Sequence, residues 1–403
     1  MFLNSMKSLL KTICDRVDEK GDVAISFLQD LIRTPSFSGE EAEISTLISE
    51  KAQKLGFDEV NQDLLYDVMM VIKGDDKGNS LLFNGHIDQV PCGDMVEPYS
   101  GKLMYGEPLG VDESVVYGRG ASDMKAAVAA AIMAGSVLKD LDINLRGDYK
   151  IAAVSQEEAG GVGTKATIND GFLGDVVIIG EATNLNLALG HRGMIFSSVV
   201  VQGKSCHASD PNLGINAICK AVDLINRIRT DMMPLLPHHN LFGQTTMTFT
   251  NIIAKPGAIN VVPEECSFYI DCRNTPNYPK KTFTKGLENI ISSQSEIDPE
   301  MNAQICPVRE SNGFYTDPIK YKEVEEARTA ISETLGVVPQ LTVWTFGTDG
   351  AFYSKRGLPV LGFGPGEERF AHSQEDHVKV NDYLKAIKTY AWLACKFCGV
   401  KSY

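Results

Sequence analysis

Three short apolar runs in this 403-residue chain each end beside a metal-ligand type of side chain: 80–83 runs into His86, 149–154 into Glu157 and Glu158, and 176–179 into Glu181. Short apolar runs bounded by turn formers read as buried strands. In an open α/β sheet, ligands bind outside the carboxyl ends of the strands. The pattern therefore predicts an α/β sheet with a polar cluster along one edge. Asp123 differs, because it follows the turn Gly118-Arg119-Gly120 and opens an alanine-rich helix expected over 124–138. A helix N-cap is an equally open reading for it. His372 stands far along the chain and, taken singly, reads as a surface-loop histidine.

The chain exceeds the roughly 250–300 residues at which single cores stop growing, so two domains are expected. Amphipathic helices are predicted over 24–32 and 43–55, and a strand over 68–72. Between 194 and about 305 the texture changes: strand 196–201, helix 216–229, alternating strands 245–253 and 267–272, and helix 283–292. This reads as an α+β unit, 193–307, inserted into a discontinuous first domain made of 1–192 and 308–403. His191-Arg192-Gly193 reads as a hinge, and His238 and His239 as exposed.

The formal charge of −14 argues against a phosphate-binding surface, so no nucleic-acid partner is expected. The first residues lack an apolar leader pattern, and no stretch reads as the roughly 18 apolar residues of a membrane span. No membrane association and a cytoplasmic location are the expectations. Nine scattered cysteines fit reduced thiols better than a disulfide framework. The single C-x-x-C, Cys395 to Cys398, ends a helical run over 383–397 and reads as two helix thiols.

Two metal ions sharing a bridging donor need several carboxylates and a few imidazoles. His86, Asp123, Glu157, Glu158, Glu181 and His372 supply that inventory. Asp88 follows His86 by two residues and suits the carboxylate that fixes a ligating imidazole's tautomer. Of two adjacent glutamates, one can face a metal while the other moves protons as general base and acid. Adjacent acids in a solvated turn before Gly160-Gly161 are the plainer alternative.

The ordered set resembles the M20 family of co-catalytic metallopeptidases and deacylases, which includes carboxypeptidases, aminoacylases and succinyl-diaminopimelate desuccinylases. The likeness spans nearly the whole chain. It rests on Gly85-His86-Ile87-Asp88, on Gly118-Arg119-Gly120-Ala121-Ser122-Asp123-Met124-Lys125, on Glu157-Glu158, on Gly180-Glu181-Ala182-Thr183 and on His372. Ala126-Ala127 stands where glycines are usual, and Ile87 where threonine is frequent, without removing a donor. The segment 344–372 resembles the family's selenium-metabolism-linked hydrolases, which implies no substrate.

The resemblance implies a zinc-peptidase-like catalytic domain, with a mostly parallel mixed sheet flanked by helices, and a ferredoxin-like lid or dimerisation domain. It implies that Asp123 bridges two divalent ions, zinc or else cobalt or manganese, with His86 and Glu181 completing one site and Glu158 and His372 the other. Glu157 is then the general base, with Asp88 behind His86. His207, in Gly203-Lys204-Ser205-Cys206-His207, is implied to reach a neighbouring subunit's site in a homodimer. Asn260 and Arg273 match positions that hold substrate oxygens, and Thr348 lies in a turn expected to shape the pocket. The expected activity is hydrolysis of an amide in a small carboxylate-bearing substrate, an N-acyl amino acid or short peptide. The alternatives are an aminopeptidase or dipeptidase, or a ligand-binding relative without catalysis, which the complete donor set disfavours.

Overall fold

The computed structural model describes residues 2–75 and 78–401, and these form two compact units. The first comprises Met1–Gly190, Tyr315–Trp344 and Thr348–Tyr403. The second comprises His191–Phe314 and Thr345–Gly347.

In the first unit the strands Glu59–Gln62, Val68–Ile72, Tyr149–Val154, Leu81–His86, Val176–Ile179, Val360–Gly362 and Leu187–His191 lie side by side in a nine-stranded mixed sheet. Parallel pairing joins the four strands from Tyr149–Val154 to Val360–Gly362, and the flanking pairs from Glu59–Gln62 to Tyr149–Val154 are antiparallel. The central strands are buried along almost their whole length, which is why they read as continuous apolar runs rather than alternating ones.

The helix Ala126–Asp140 is buried from Ala126 to Leu138. Its alanines let the sheet and the helices Gly21–Arg33 and Val380–Cys398 approach from several sides. By length and composition Ala121–Asp140 is apolar enough to span a membrane, contrary to the sequence expectation that no stretch is, and here it is buried from Ala121 to Leu138. Cys395 and Cys398 are buried thiols of the last helix.

Three helices, not two, precede the first strand, because Phe2–Glu19 is added. Its core face is Leu9, Ile13 and Val17, a spacing of four masked by Lys11, Asp15 and Arg16 between them. A small antiparallel sheet of His377–Lys379, Ser114–Tyr117 and Lys102–Tyr105 was also not foreseen. Asp123 does not open a helix: its φ of −128° and ψ of 95° are extended, and the regular helix starts three residues later.

The second unit runs strand, helix, two strands, helix, strand. Its antiparallel sheet has the order Thr246–Lys255, Glu265–Asn274, Gly193–Gln202, Asn302–Ser311, a ferredoxin-like arrangement. Cys266, Phe268, Ile270 and Cys272 alternate inward and pack with Leu224, Phe283 and Leu287 of the two helices. Asn216 caps Ala217–Arg227 by accepting from the N–H groups of Ile218 and Cys219 at 2.9 and 3.2 Å. The edge strand Asn302–Ser311 is largely exposed, so no alternating pattern marked it.

Gly135 makes the tight packing of Ala126–Asp140 testable. A Cβ there would press on the Phe57 ring and lie 3.1 Å from Ile72 Cδ1. Alanine gains about 1 kcal/mol of helix propensity, yet overpacking costs about 1–3 kcal/mol. Gly135→Ala is therefore expected to lower the melting temperature, and adding Phe57→Leu to recover it. An unchanged or raised melting temperature in the single variant would refute the packing argument.

Candidate metal centre

His86 is the last residue of Leu81–His86, and the flanking parallel strands end in the turns that carry Glu157, Glu158 and Glu181. Three neighbouring strand ends thus converge. Gly85 and Gly180 stand directly before His86 and Glu181, and a Cβ at either would lie 2.7 or 2.6 Å from Met124 Cε. The missing side chains let the Asp123–Met124 turn come down onto the sheet edge.

Asp123 is placed between two imidazoles. Its Oδ1 lies 2.9 Å from His86 Nε2 and its Oδ2 3.2 Å from His372 Nε2. His372 Nε2 is also 2.7 Å from Glu158 Oε1, and His86 Nε2 is 3.7 Å from Glu181 Oε1. Donor atoms of His86, Glu157 and Glu181 fall within 4.8 Å of one another, and so do those of His86, Asp123 and Glu158. His372 sits at φ +60°, a left-handed conformation uncommon for a side chain of this size, which aims its ring from a loop.

The surrounding hydrogen bonds orient these groups. His86 Nδ1 is 3.0 Å from the Asp88 carbonyl, so its N–H donates there and the Nε2 side faces the carboxylates. The Asp88 carboxylate accepts from Ser38 Oγ at 2.6 Å and from the N–H groups of Glu157 and Glu158 at 3.0 and 3.2 Å. Buried Asp376 accepts from Gly120 N–H at 2.7 Å, from Ser122 N–H at 2.8 Å and from Arg119 at 3.2 Å. Buried Lys125 donates to the carbonyls of Leu31 and Thr34 at 3.1 and 2.9 Å and to Gln89 Oε1 at 2.6 Å. Burial without a bonded acid pushes the Lys125 ammonium down to about 7.

The electrostatics fit a cation site. Burial, then Asp123, raises the Glu181 carboxyl well above its ordinary range, and burial, then Asp349, does the same to Glu157. Hydrogen bonds to Asp123 and Glu158 lift His372 to about 10. Burial would lower His86, but Asp123 and Asp88 outweigh it and raise it. Glu181 Oε2 is buried with no hydrogen-bond partner. Four carboxylates and two imidazoles so close demand positive charge, which protons supply here and which divalent ions would supply by displacing them. The donor set is nitrogen and oxygen, as zinc, cobalt and manganese accept. The residues therefore fit such ions.

Of the residues singled out from sequence, His86, Asp88, Asp123, Glu157, Glu158, Glu181 and His372 meet here. Thr348 is buried in the same unit, its Oγ1 3.3 Å from Gly350 N. The others belong to the second unit. His207 is exposed, with Nδ1 2.7 Å from Ser209 Oγ. Asn260 is exposed and its carbonyl accepts from Ala208 N–H. Arg273 is ion-paired with Asp271 at 2.9 and 3.1 Å. Sequence reasoning missed Ser38, Lys125 and Asp376 as supports. The one sequence signal for Asp376 was an acid four residues after His372.

Asp376 reaches the Asp123 loop from the segment that carries His372, so it tethers two candidate ligand loops. Asp376→Asn places an amide against those donors, and loss of such a support typically weakens metal binding about 10–100-fold. A drop of that order is expected in chelator competition, with turnover per bound ion little changed. Unchanged affinity would show that the loop holds its shape without this carboxylate.

The family model described as peptidase family M20/M25/M40 matches residues 82–396. The chain is 28% identical over 399 residues to the Escherichia coli K12 protein YgeY, covering 91% of this chain and 94% of the relative. It is 27% identical over 362 residues to an acetylornithine deacetylase of Myxococcus xanthus, covering 87% and 90%. The solved structure of Bacillus subtilis YXEP, a dinuclear metal-binding peptidase from the M20 family, superposes with a TM-score of 0.69 at 17% identity, covering 94% of this chain and 98% of that one. With the family model spanning most of its length and the donors gathered at the strand ends, the chain belongs to peptidase family M20/M25/M40, a family of metal-dependent hydrolases.

Proposed function

We propose that the protein hydrolyses the amide bond of a small substrate bearing a free carboxylate, an N-acyl amino acid or a short peptide. The observation that carries this reading is Asp123, whose two oxygens each face a different histidine. Asp123 would bridge two divalent ions, zinc first among the candidates, with His86 and Glu181 on one and Glu158 and His372 on the other. Bound there, such ions polarise a carbonyl and acidify water.

The chain's own groups supply the rest. Glu157 takes the proton of the attacking water and passes it to the leaving amine nitrogen. Its buried setting, which favours the protonated form, suits the second half of that transfer. Asp88 holds His86 in one tautomer and, through the two N–H groups it accepts, fixes the turn carrying both glutamates. His207 of a partner subunit donates to the developing oxyanion, so the active species is a homodimer. Arg273, Asn260 and Thr348 hold the substrate, the guanidinium gripping its carboxylate. Likeness to an acetylornithine deacetylase supports the deacylase side of the reading. Nine free cysteines suit the reducing cytoplasm.

Chelation is expected to abolish amidase activity on a panel of N-acyl amino acids and dipeptides, and zinc, cobalt or manganese to restore it. Glu157→Gln should keep both ions while turnover falls about 100-fold or more. A Glu157→Gln enzyme with normal turnover would remove the general-base role. A strict requirement for a free amine across the panel would replace the deacylase reading with an aminopeptidase or dipeptidase.

The contribution in trans has its own test. His207→Ala and Glu157→Gln proteins, each of low activity, are mixed under subunit exchange. Heterodimers carry one intact composite site and should recover about a quarter of wild-type activity at equal mixing, since half the dimers are mixed and each has one good site of two. No recovery in dimers shown to have exchanged would overturn the proposal.

A further inference from the structure

A cavity of about 510 Å³ in the second unit is lined by three arginines, Arg192, Arg273 and Arg309, with Thr246, Ser311 and Phe346 among its other walls. Only Arg273 has a carboxylate partner there, Asp271. Among the described residues, no carboxylate lies within 4 Å of Arg192 or Arg309. Arg192 donates to the Gln244 carbonyl at 3.2 Å, which leaves its charge uncompensated. The cavity therefore carries an excess of two positive charges.

The placement of Arg309 depends on a local irregularity of the sheet. Asn302–Ser311 pairs with Gly193–Gln202 in one register up to Pro307 opposite Ser197, then shifts by one so that Arg309 opposes Phe196. Val308 is the extra residue of this bulge. In the unshifted register Arg309 would oppose Ile195, on the face buried against the helices. The bulge turns it onto the other face, a re-aiming that such irregularities perform.

Two adjacent cross-strand rows result. One reads Thr246, Arg273, Met194, Ser311, and the next reads Thr248, Asp271, Phe196, Arg309. Arg273 and Arg309 are two strands apart, about 10 Å between backbones at the usual strand spacing. The Arg273 guanidinium also lies over the Phe196 ring, 5.6 Å from its centre. Both arginines line the one cavity. A guanidinium matches a carboxylate with two parallel N–H bonds; Arg273 spends its Nε and one Nη2 bond on Asp271 and keeps its Nη1 side for a ligand.

We propose that this pocket binds a small dicarboxylate, one carboxylate held by Arg273 and the other by Arg309 with Arg192. The proposal rests on the reading of Arg273 as a carboxylate grip and adds a second, distinct grip. A substrate with an acidic side chain, or an acidic acyl group on an amino acid, has this chemistry.

The test is calorimetric titration of the full-length, metal-loaded protein with glutarate, succinate, butyrate and inorganic phosphate, on wild type, Arg309→Met and Arg309→Lys. Any affinity of the metal centre for carboxylates is common to all three proteins. Wild type is expected to bind the better dicarboxylate at least about tenfold tighter than butyrate. Arg309→Met should weaken dicarboxylate binding and bring that ratio close to one, and Arg309→Lys should fall between. The exposure of Arg309 on an edge strand makes both variants tolerable to the fold, which melting temperature checks.

Equal affinity for dicarboxylate and butyrate in wild type, or a ratio insensitive to Arg309, would overturn the second grip alone. Absence of binding by every carboxylate would overturn both grips. Phosphate binding more tightly than either dicarboxylate and weakened by Arg309→Met would mark the cavity as a phosphate site instead.

Discussion

The concentration of negative charge around Asp123 is the constraint on which the first unit turns. Asp123, Glu157, Glu158 and Glu181 converge where water is largely excluded, and each added carboxylate raises the cost of ionising the next. The effect falls unevenly. Asp123 has both oxygens on imidazoles, which hold it well below the ordinary carboxylate range against the opposing pull of burial. Glu181 has one oxygen with no partner and is pushed the other way. A fold that gathers such groups without cations keeps the neighbourhood neutral with protons. Divalent ions in their place would offset that repulsion, which would link metal loading to local order.

Such a cluster needs support from groups that take no part in it. Three buried charges provide this by binding mostly backbone. Asp376 accepts two N–H groups of the Gly120–Ser122 turn, Glu41 accepts those of Gly39 and Gln156, and Lys125 donates to the carbonyls of Leu31 and Thr34. A buried charge bonded to peptide groups is costly to desolvate, but it fixes a loop that has no strand or helix to hold it. Burial pushes Asp376 up to about 7, against the pull of the Ser122 and Gly120 N–H groups and of Arg119.

Much of the sheet was legible because its central strands are buried on both faces. The runs 68–72, 149–154 and 176–179 were read from sequence with the bounds the structure has. The helix Phe2–Glu19 was missed because its apolar face is narrow and broken by charge, and Asn302–Ser311 because an exposed edge strand has no face that must be apolar. Asp123 was misread as a helix opener: a carboxylate just ahead of an alanine-rich run has the same pattern whether it caps the helix or turns into a cleft. Lys125, Asp376 and Ser38 could not be given roles because their partners are mostly backbone atoms or lie far along the chain. The bulge at Val308 was equally invisible, since register shifts are set by pairing between distant strands.

The adjacent glutamates show how local geometry assigns different chemistry to identical side chains. Gln156, at φ +55°, turns the chain sharply after Tyr149–Val154, and its N–H is taken by Glu41. The next two N–H groups both point to Asp88, so the backbone at 157 and 158 is fixed in one orientation while the two side chains leave it in different directions. Glu158 reaches His372 at 2.7 Å and has its charge compensated there. Glu157 lies with His86 and Glu181 and feels Asp349, itself buried and raised to about 6, as its largest neighbouring charge. Glu158 is thereby paired with an imidazole, whereas burial and Asp349 favour the protonated form of Glu157. The difference arises from one left-handed residue and one carboxylate behind the turn, so Asp88 acts on both His86 and the backbone of the two glutamates.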